Sequence, residues 1–143
     1  MDYKKSEAKE YAREHLVGVW AANLTPFDDD LRIDEKAYRE NLDHWIKDLQ
    51  LGGLFIAGKQ AEFFSMSIPE RKRLMELSVE VAQAAGDRGG IGRCGIITSC
   101  SDTNLDVVLE LARYSQDIGA DYVIVHSPVL HFGADTEETI YEY

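Results

Sequence analysis

A chain of 143 residues with 45% hydrophobic and 29% charged content has the size and composition of one ordinary folded domain, not of a disordered or collagen-like one. Its formal net charge of −11 at pH 7 argues against a nucleic-acid or anionic-membrane partner, because both are held through clustered Lys and Arg. No apolar run approaches the roughly 18 residues of a membrane span, and Met1-Asp2-Tyr3-Lys4-Lys5 leads into no apolar signal region, so a cytoplasmic location is expected.

Tyr3 to His15 is charged and rich in Ala, Glu and Lys, which predicts a short helical extension over residues 1–15. Leu16 to Leu24 is a nearly continuous apolar run, the pattern of a strand covered on both faces. From Asp34, apolar residues recur at Tyr38, Leu42, Trp45, Ile46 and Leu49, one helical face, with Gly52-Gly53 expected to close the helix. Leu54 to Ala57 is the second predicted strand.

Ser67-Ile68-Pro69-Glu70 is a capping box, and Pro69 in the first turn forfeits no helical bond. The helix it opens is expected to run to Ala85 and stop at Gly86. A third strand is predicted within Gly92 to Ile97, and its helix from Ser101-Asp102-Thr103 to Gly119. Asp121 to His126 reads as a fourth strand, and Asp135-Thr136-Glu137-Glu138 as the cap of a last helix. Cys94 and Cys100, six apart, match no zinc or redox spacing and are read as reduced thiols; no metal or cofactor is expected.

Strands alternating with helices call for an α/β fold with a parallel sheet. The sheet can curve into part of a (β/α)8 barrel, whose usual length is about 250 residues, or stay open as a small doubly wound sheet. On the first reading residues 16–143 hold strands one to four, roughly half a barrel. In both, the turns after the strands gather on one edge, where ligands bind. No turn carries the G-x-G-x-x-G phosphate signature.

Gly18 through Thr25-Pro26-Phe27, Gly58 and Glu62 in a Gly-x-x-x-Glu turn, and Ser127-Pro128 after a strand together resemble the N-terminal half of the dihydrodipicolinate synthase and N-acetylneuraminate lyase family. The resemblance covers about residues 16–143. It implies a (β/α)8 barrel that binds a 2-oxo acid as a Schiff base on a lysine at the end of the sixth strand, for aldol cleavage, condensation or dehydration. No residue of this chain reaches that strand, and a homo-oligomer is implied. Where the family has Gly-Thr-Thr-Gly-Glu, this chain has Gly58-Lys59-Gln60-Ala61-Glu62; where the family has Thr/Ser-Pro-Tyr-Tyr-Asn, Leu130 and His131 stand for the second tyrosine and the asparagine. Both departures point away from standard dihydrodipicolinate synthase activity.

The expected substrate-binding residues are Lys59, Gln60, Glu62, Thr25 and Ser127, with His131 as the candidate catalytic group. Lys59 can pair with a substrate carboxylate as a point charge, or equally with Glu62 at the surface. Gln60 offers an amide donor in place of a hydroxyl. His131 can carry protons near neutral pH, while a lone loop histidine is as readily structural. Thr25 can line the site or merely end a strand before Pro26. His126 reads as a satisfied core histidine, Asn23 as a second residue lining the site, and Phe63-Phe64 as core or pocket wall.

Three functions stay open at this level: half of a Schiff-base lyase acting on a 2-oxo acid, a self-contained small-ligand-binding α/β domain, and a non-catalytic half-barrel that assembles with a partner chain. A half-barrel leaves two sheet edges open. It is expected to expose Val17, Val19, Leu54, Ile56, Val123 and Val125 on its inner face.

Overall fold

The computed structural model describes residues 4–90, 92–127 and 137–142. Four strands, β1 (Trp20–Ala22), β2 (Gly53–Ile56), β3 (Gly95–Ser99) and β4 (Tyr122–Ile124), alternate with helices α1 (Ala8–His15), α2 (Glu35–Asp43), α3 (Ile68–Ala85), α4 (Leu105–Ile118) and α5 (Glu137–Glu142). All pairings are parallel and the strands stand in the order β1-β2-β3-β4. A doubly wound sheet needs a reversal of strand order and helices on both faces. Here the order never reverses, and α2, α3 and α4 share one core with the same face of β2 and β3, so that alternative is corrected: the sheet is singly wound, as in a barrel wall.

Register sorts the side chains. Leu54, Ile56 and Ile96 point to the helices and are fully buried with Tyr38, Leu42, Leu74, Met75, Leu77 and Leu111. Each such side chain stabilises by about 1.5–3 kcal/mol. Leu54 and Ile56 therefore do not line the inner face as expected, because the strand period of two turns them under α2 and α3. The opposite face carries Trp20, and Ala22, Phe55, Ile97 and Tyr122 in one register row. Trp20 lies across two glycines: a Cβ on Gly53 or Gly95 would stand 2.2 or 2.3 Å from its ring. Tyr122 meets it edge-on at 6.0 Å.

These glycines correct the expectation that Gly52-Gly53 ends the second helix. That helix ends in a π-helical turn at His44–Asp48, and Gln50 takes the left-handed conformation at φ 50°. A Cβ on Gly52 would lie 2.3 Å from the Val17 carbonyl oxygen, so close strand packing is what requires both glycines. β1 is shorter than its apolar run because Gly18, at φ +78°, bends the chain before the ladder begins. Leu16, Val17 and Val19 are left exposed.

Capping follows the sequence at two helices and departs at a third. Asp34 accepts the Ala37 amide at the start of α2. Ser67 and Glu70 form the complete capping box of α3, which ends at Gly86. At α4 the cap is Asn104, three residues beyond Ser101, because Ser101 and Asp102 are engaged elsewhere, as described below. Charged pairs tie the helices at the surface: Arg39–Glu80 and Arg73–Glu35 join α2 to α3, and Lys72–Glu110 joins α3 to α4. Among the described residues no helix is long and apolar enough to cross a membrane. Cys94 and Cys100 are buried free thiols, and burial raises the pKa of each.

Candidate functional site at the strand ends

The turn after β2 is wound tightly. Ala57 and Glu62 both adopt left-handed backbone, at φ 53° and 61°, a conformation that costs a non-glycine residue free energy and recurs at ligand sites. Between them a 3₁₀ turn, Lys59–Ala61, buries Ala61 and leaves Lys59, Gln60 and Glu62 exposed. No ion pair joins Lys59 to Glu62 among the described residues. Gly58 is held close to the Phe55 ring, 2.8 Å from where a Cβ would stand. Thr25 donates its hydroxyl to the Ala61 carbonyl at 3.1 Å, which anchors the first turn to the second.

Arg71, in the first turn of α3, is 1% exposed. Its Nη1 donates to Asp102 Oδ2 at 3.0 Å, and its Nη2 to the carbonyls of Ser101 at 2.8 Å and Ser99 at 3.3 Å. The guanidinium also lies 4.9 Å from the Phe63 ring centroid, a cation–π contact. Burial lowers its pKa and Asp102 opposes that; an arginine ordinarily titrates so far above neutral that it stays charged. One side chain thus locks the turn after β3 to the turn after β2.

The turn after β3 in turn holds the end of β4. Ser101 Oγ accepts the His126 main-chain N–H at 3.0 Å and lies 2.8 Å from His126 Nδ1. Ser99 Oγ is 3.4 Å from Ser101 Oγ. By strand parity Ser99 and Ser101 continue the inner face of β3, and His126 that of Tyr122 and Ile124.

Beside this cluster a cavity of about 540 Å³ opens between Lys59, Phe63, Phe64, Arg71, Thr103 and Ser127. The structure brings Lys59 and Ser127 together there. Gln60, Glu62 and Thr25 stand outside its lining, and His131, like Leu130, falls outside the described residues. Asn23 does not line the site: its Nδ2 donates to the Tyr38 hydroxyl beneath α2, because β1 parity turns it toward the helices. Phe63 and Phe64 both wall the cavity, and Phe64 is 69% exposed, not core. His126 is half-buried at the sheet edge, not in the core, and of its two ring nitrogens Nδ1 meets Ser101.

Arg71 escaped the sequence reading although its signal was present, since it is in phase with Leu74, Ser78 and Ala82 on the buried side of α3. Among the described residues no three His, Cys, Asp or Glu side chains group as a metal site.

A singly wound parallel sheet with tight turns and convergent polar groups at its carboxyl edge defines the wall of a (β/α)8 barrel. Residues 15–143 match the Dihydrodipicolinate synthetase family, and the chain belongs to it. The chain is 31% identical over 113 residues to N-acetylneuraminate lyase of Clostridium perfringens, covering 79% of this chain and 36% of that protein. It is 31% identical over 128 residues to 4-hydroxy-tetrahydrodipicolinate synthase of Brucella abortus, covering 90% and 40%. It superposes on CdNal from Clostridium difficile, solved in complex with mannosamine, with a TM-score of 0.75 and 28% identity, covering 87% of this chain and 41% of that one. On N-acetylneuraminate lyase from Mycoplasma synoviae the TM-score is 0.77 at 23% identity, covering 90% and 42%. The chain therefore spans about two fifths of the length of its relatives.

Proposed function

We propose that this chain supplies the first four βα units of a lyase or aldolase acting on a 2-oxo acid through a lysine Schiff base, the lysine lying outside residues 1–143. The observation that carries this reading is the family match over residues 15–143, to which proteins named as N-acetylneuraminate lyase and 4-hydroxy-tetrahydrodipicolinate synthase also align. Residues 1–15 form a helical extension and 16–143 the barrel wall, in a cytoplasmic homo-oligomer.

In this reading the exposed ammonium of Lys59 meets the substrate carboxylate, a role suited to a compact charge at a strand end. Gln60 adds an amide donor, and Ser127 a hydroxyl from across the edge. Thr25 and Glu62 shape the turn that presents Lys59. His131 is a candidate proton carrier in the following loop.

Borohydride reduction of the full-length protein with pyruvate, followed by peptide mapping, tests the reading. A pyruvate-derived adduct on a lysine outside residues 1–143 is expected. An adduct on Lys59, or none on any lysine, overturns it.

A further inference from the structure

We propose that His126 is a proton-transfer residue of this site, its ring oriented by Ser101 and its Nε2 exchanging a proton with C3 of the bound 2-oxo acid. The inference deepens the reading above and rests on it.

Placement is the first support. His126 follows β4 by two residues and shares the parity of Tyr122 and Ile124, the face away from the helices. It stands at the carboxyl edge, and its sequence neighbour Ser127 and its hydrogen-bond partner Ser101 line the cavity.

Fixation is the second. Ser101, itself 1% exposed, holds both the main-chain N–H and Nδ1 of His126, at 3.0 and 2.8 Å. A serine hydroxyl donates or accepts. In the neutral ring that can take a proton at Nε2, Nδ1 carries the hydrogen and donates it to Ser101 Oγ, and it does so again once the ring is charged. The ring thus keeps one orientation in both protonation states. Nε2 has no hydrogen bond among the described residues. The charged groups next to this pair are Arg71 on α3 and Asp102 in the turn after β3, which satisfy each other; Tyr122 and Ile124 on β4 bring no charge at neutral pH. A half-buried imidazole with one nitrogen tethered and one free is the arrangement that general acid–base chemistry uses.

The step balances as follows. With the 2-oxo acid held as an iminium, a C3–H bond breaks and the proton passes to Nε2. Its electron pair forms the C2=C3 bond, and the iminium nitrogen takes the displaced π pair. The products are a neutral enamine and an imidazolium; the reverse returns the proton to carbon.

Exchange of the pyruvate methyl protons in D2O, followed by proton NMR on the full-length protein, reads this step without knowledge of the natural substrate. H126Q is expected to slow exchange by about 10²–10⁴-fold and to abolish its fall on acidification, while still yielding the borohydride-trapped adduct. S101A, which keeps the imidazole but frees it, is expected to lose less and to retain the acid limb. An H126Q rate within about threefold of wild type, against the larger change expected of a general acid–base group, with the same pH profile, overturns the proposal. No trapped adduct in the wild type overturns the Schiff-base reading and this inference together. Should H126Q not fold, the wild-type imidazole signals decide: pyruvate must move those of His126, and unmoved signals overturn the proposal.

Discussion

Replacing Arg71 by Met removes the strap between the turns after β2 and β3 and keeps most of the aliphatic stem, so the effect isolates the guanidinium. The group lost is 1% exposed and donates to Asp102 Oδ2, the Ser101 carbonyl and the Ser99 carbonyl at 3.0, 2.8 and 3.3 Å. Breaking a buried ion pair from one side costs about 3–5 kcal/mol. Asp102 keeps 23% side-chain exposure and rehydrates in part, which places the cost near the low end. Each carbonyl left without a donor adds about 1–3 kcal/mol when fully buried, but groups in one network do not add independently. The expected loss is about 3–4 kcal/mol for R71M. It is smaller for R71K, which restores a charge but not the planar fork. Urea denaturation of the purified protein measures both, and the D102N and R71M/D102N variants complete a cycle. A loss below about 1 kcal/mol, the scale of a surface pair, or strict additivity with D102N, would refute the assignment of Arg71 as the strap.

Gly95→Ala places a methyl 2.3 Å from the Trp20 ring and should destabilise by about 1–3 kcal/mol through overpacking; the same change in a Trp20→Ala background should cost clearly less, and equal costs in thermal melts would contradict the stacked geometry. Ser67→Ala should cost about 1 kcal/mol through the lost cap. Hydrogen bonds from Ser67 hold the Glu70 carboxyl below its ordinary 4.5, so this contribution is present above that value and lost as pH falls through the depressed native one; acid titration of stability should be shallower in S67A, and an identical slope would remove Glu70 from the acid transition. Lys59→Met should weaken binding of an anionic substrate by about 1.5–3 kcal/mol with no change in melting temperature, and an unchanged KM and kcat would return Lys59 to an ordinary surface lysine.

The parts of the fold that follow from short-range chemistry were legible in the sequence. The capping box at Ser67 and Glu70 and the stop at Gly86 stand where local rules put them, because a helix end is decided by residues within one turn of it. Gly52 and Gly53 do not stop the helix: their cause is the Trp20 ring on the neighbouring strand and the Val17 carbonyl just before that strand. The shortened β1 has a similar origin: apolar residues at Leu16, Val17 and Val19 satisfy a strand pattern, while the conformation of Gly18 removes them from the ladder.

In the site, turn position and the family resemblance brought Lys59 and Ser127 forward as candidates, and both line the cavity. Arg71 and the Ser101–His126 pair arise from contacts across 25 to 31 residues. Spacing along the chain gives such contacts no signature. Helical phase for Arg71 and strand parity for His126 were the clues available.

A crystal structure of the full-length protein with pyruvate tests the central claim most directly. The account predicts a closed barrel in which the outer edges of β1 and β4 are both paired. Pyruvate should be joined to a lysine beyond residue 143, on the inner face within reach of Lys59 and His126. An open sheet, or pyruvate bound on the helix side of β2 and β3, would contradict it.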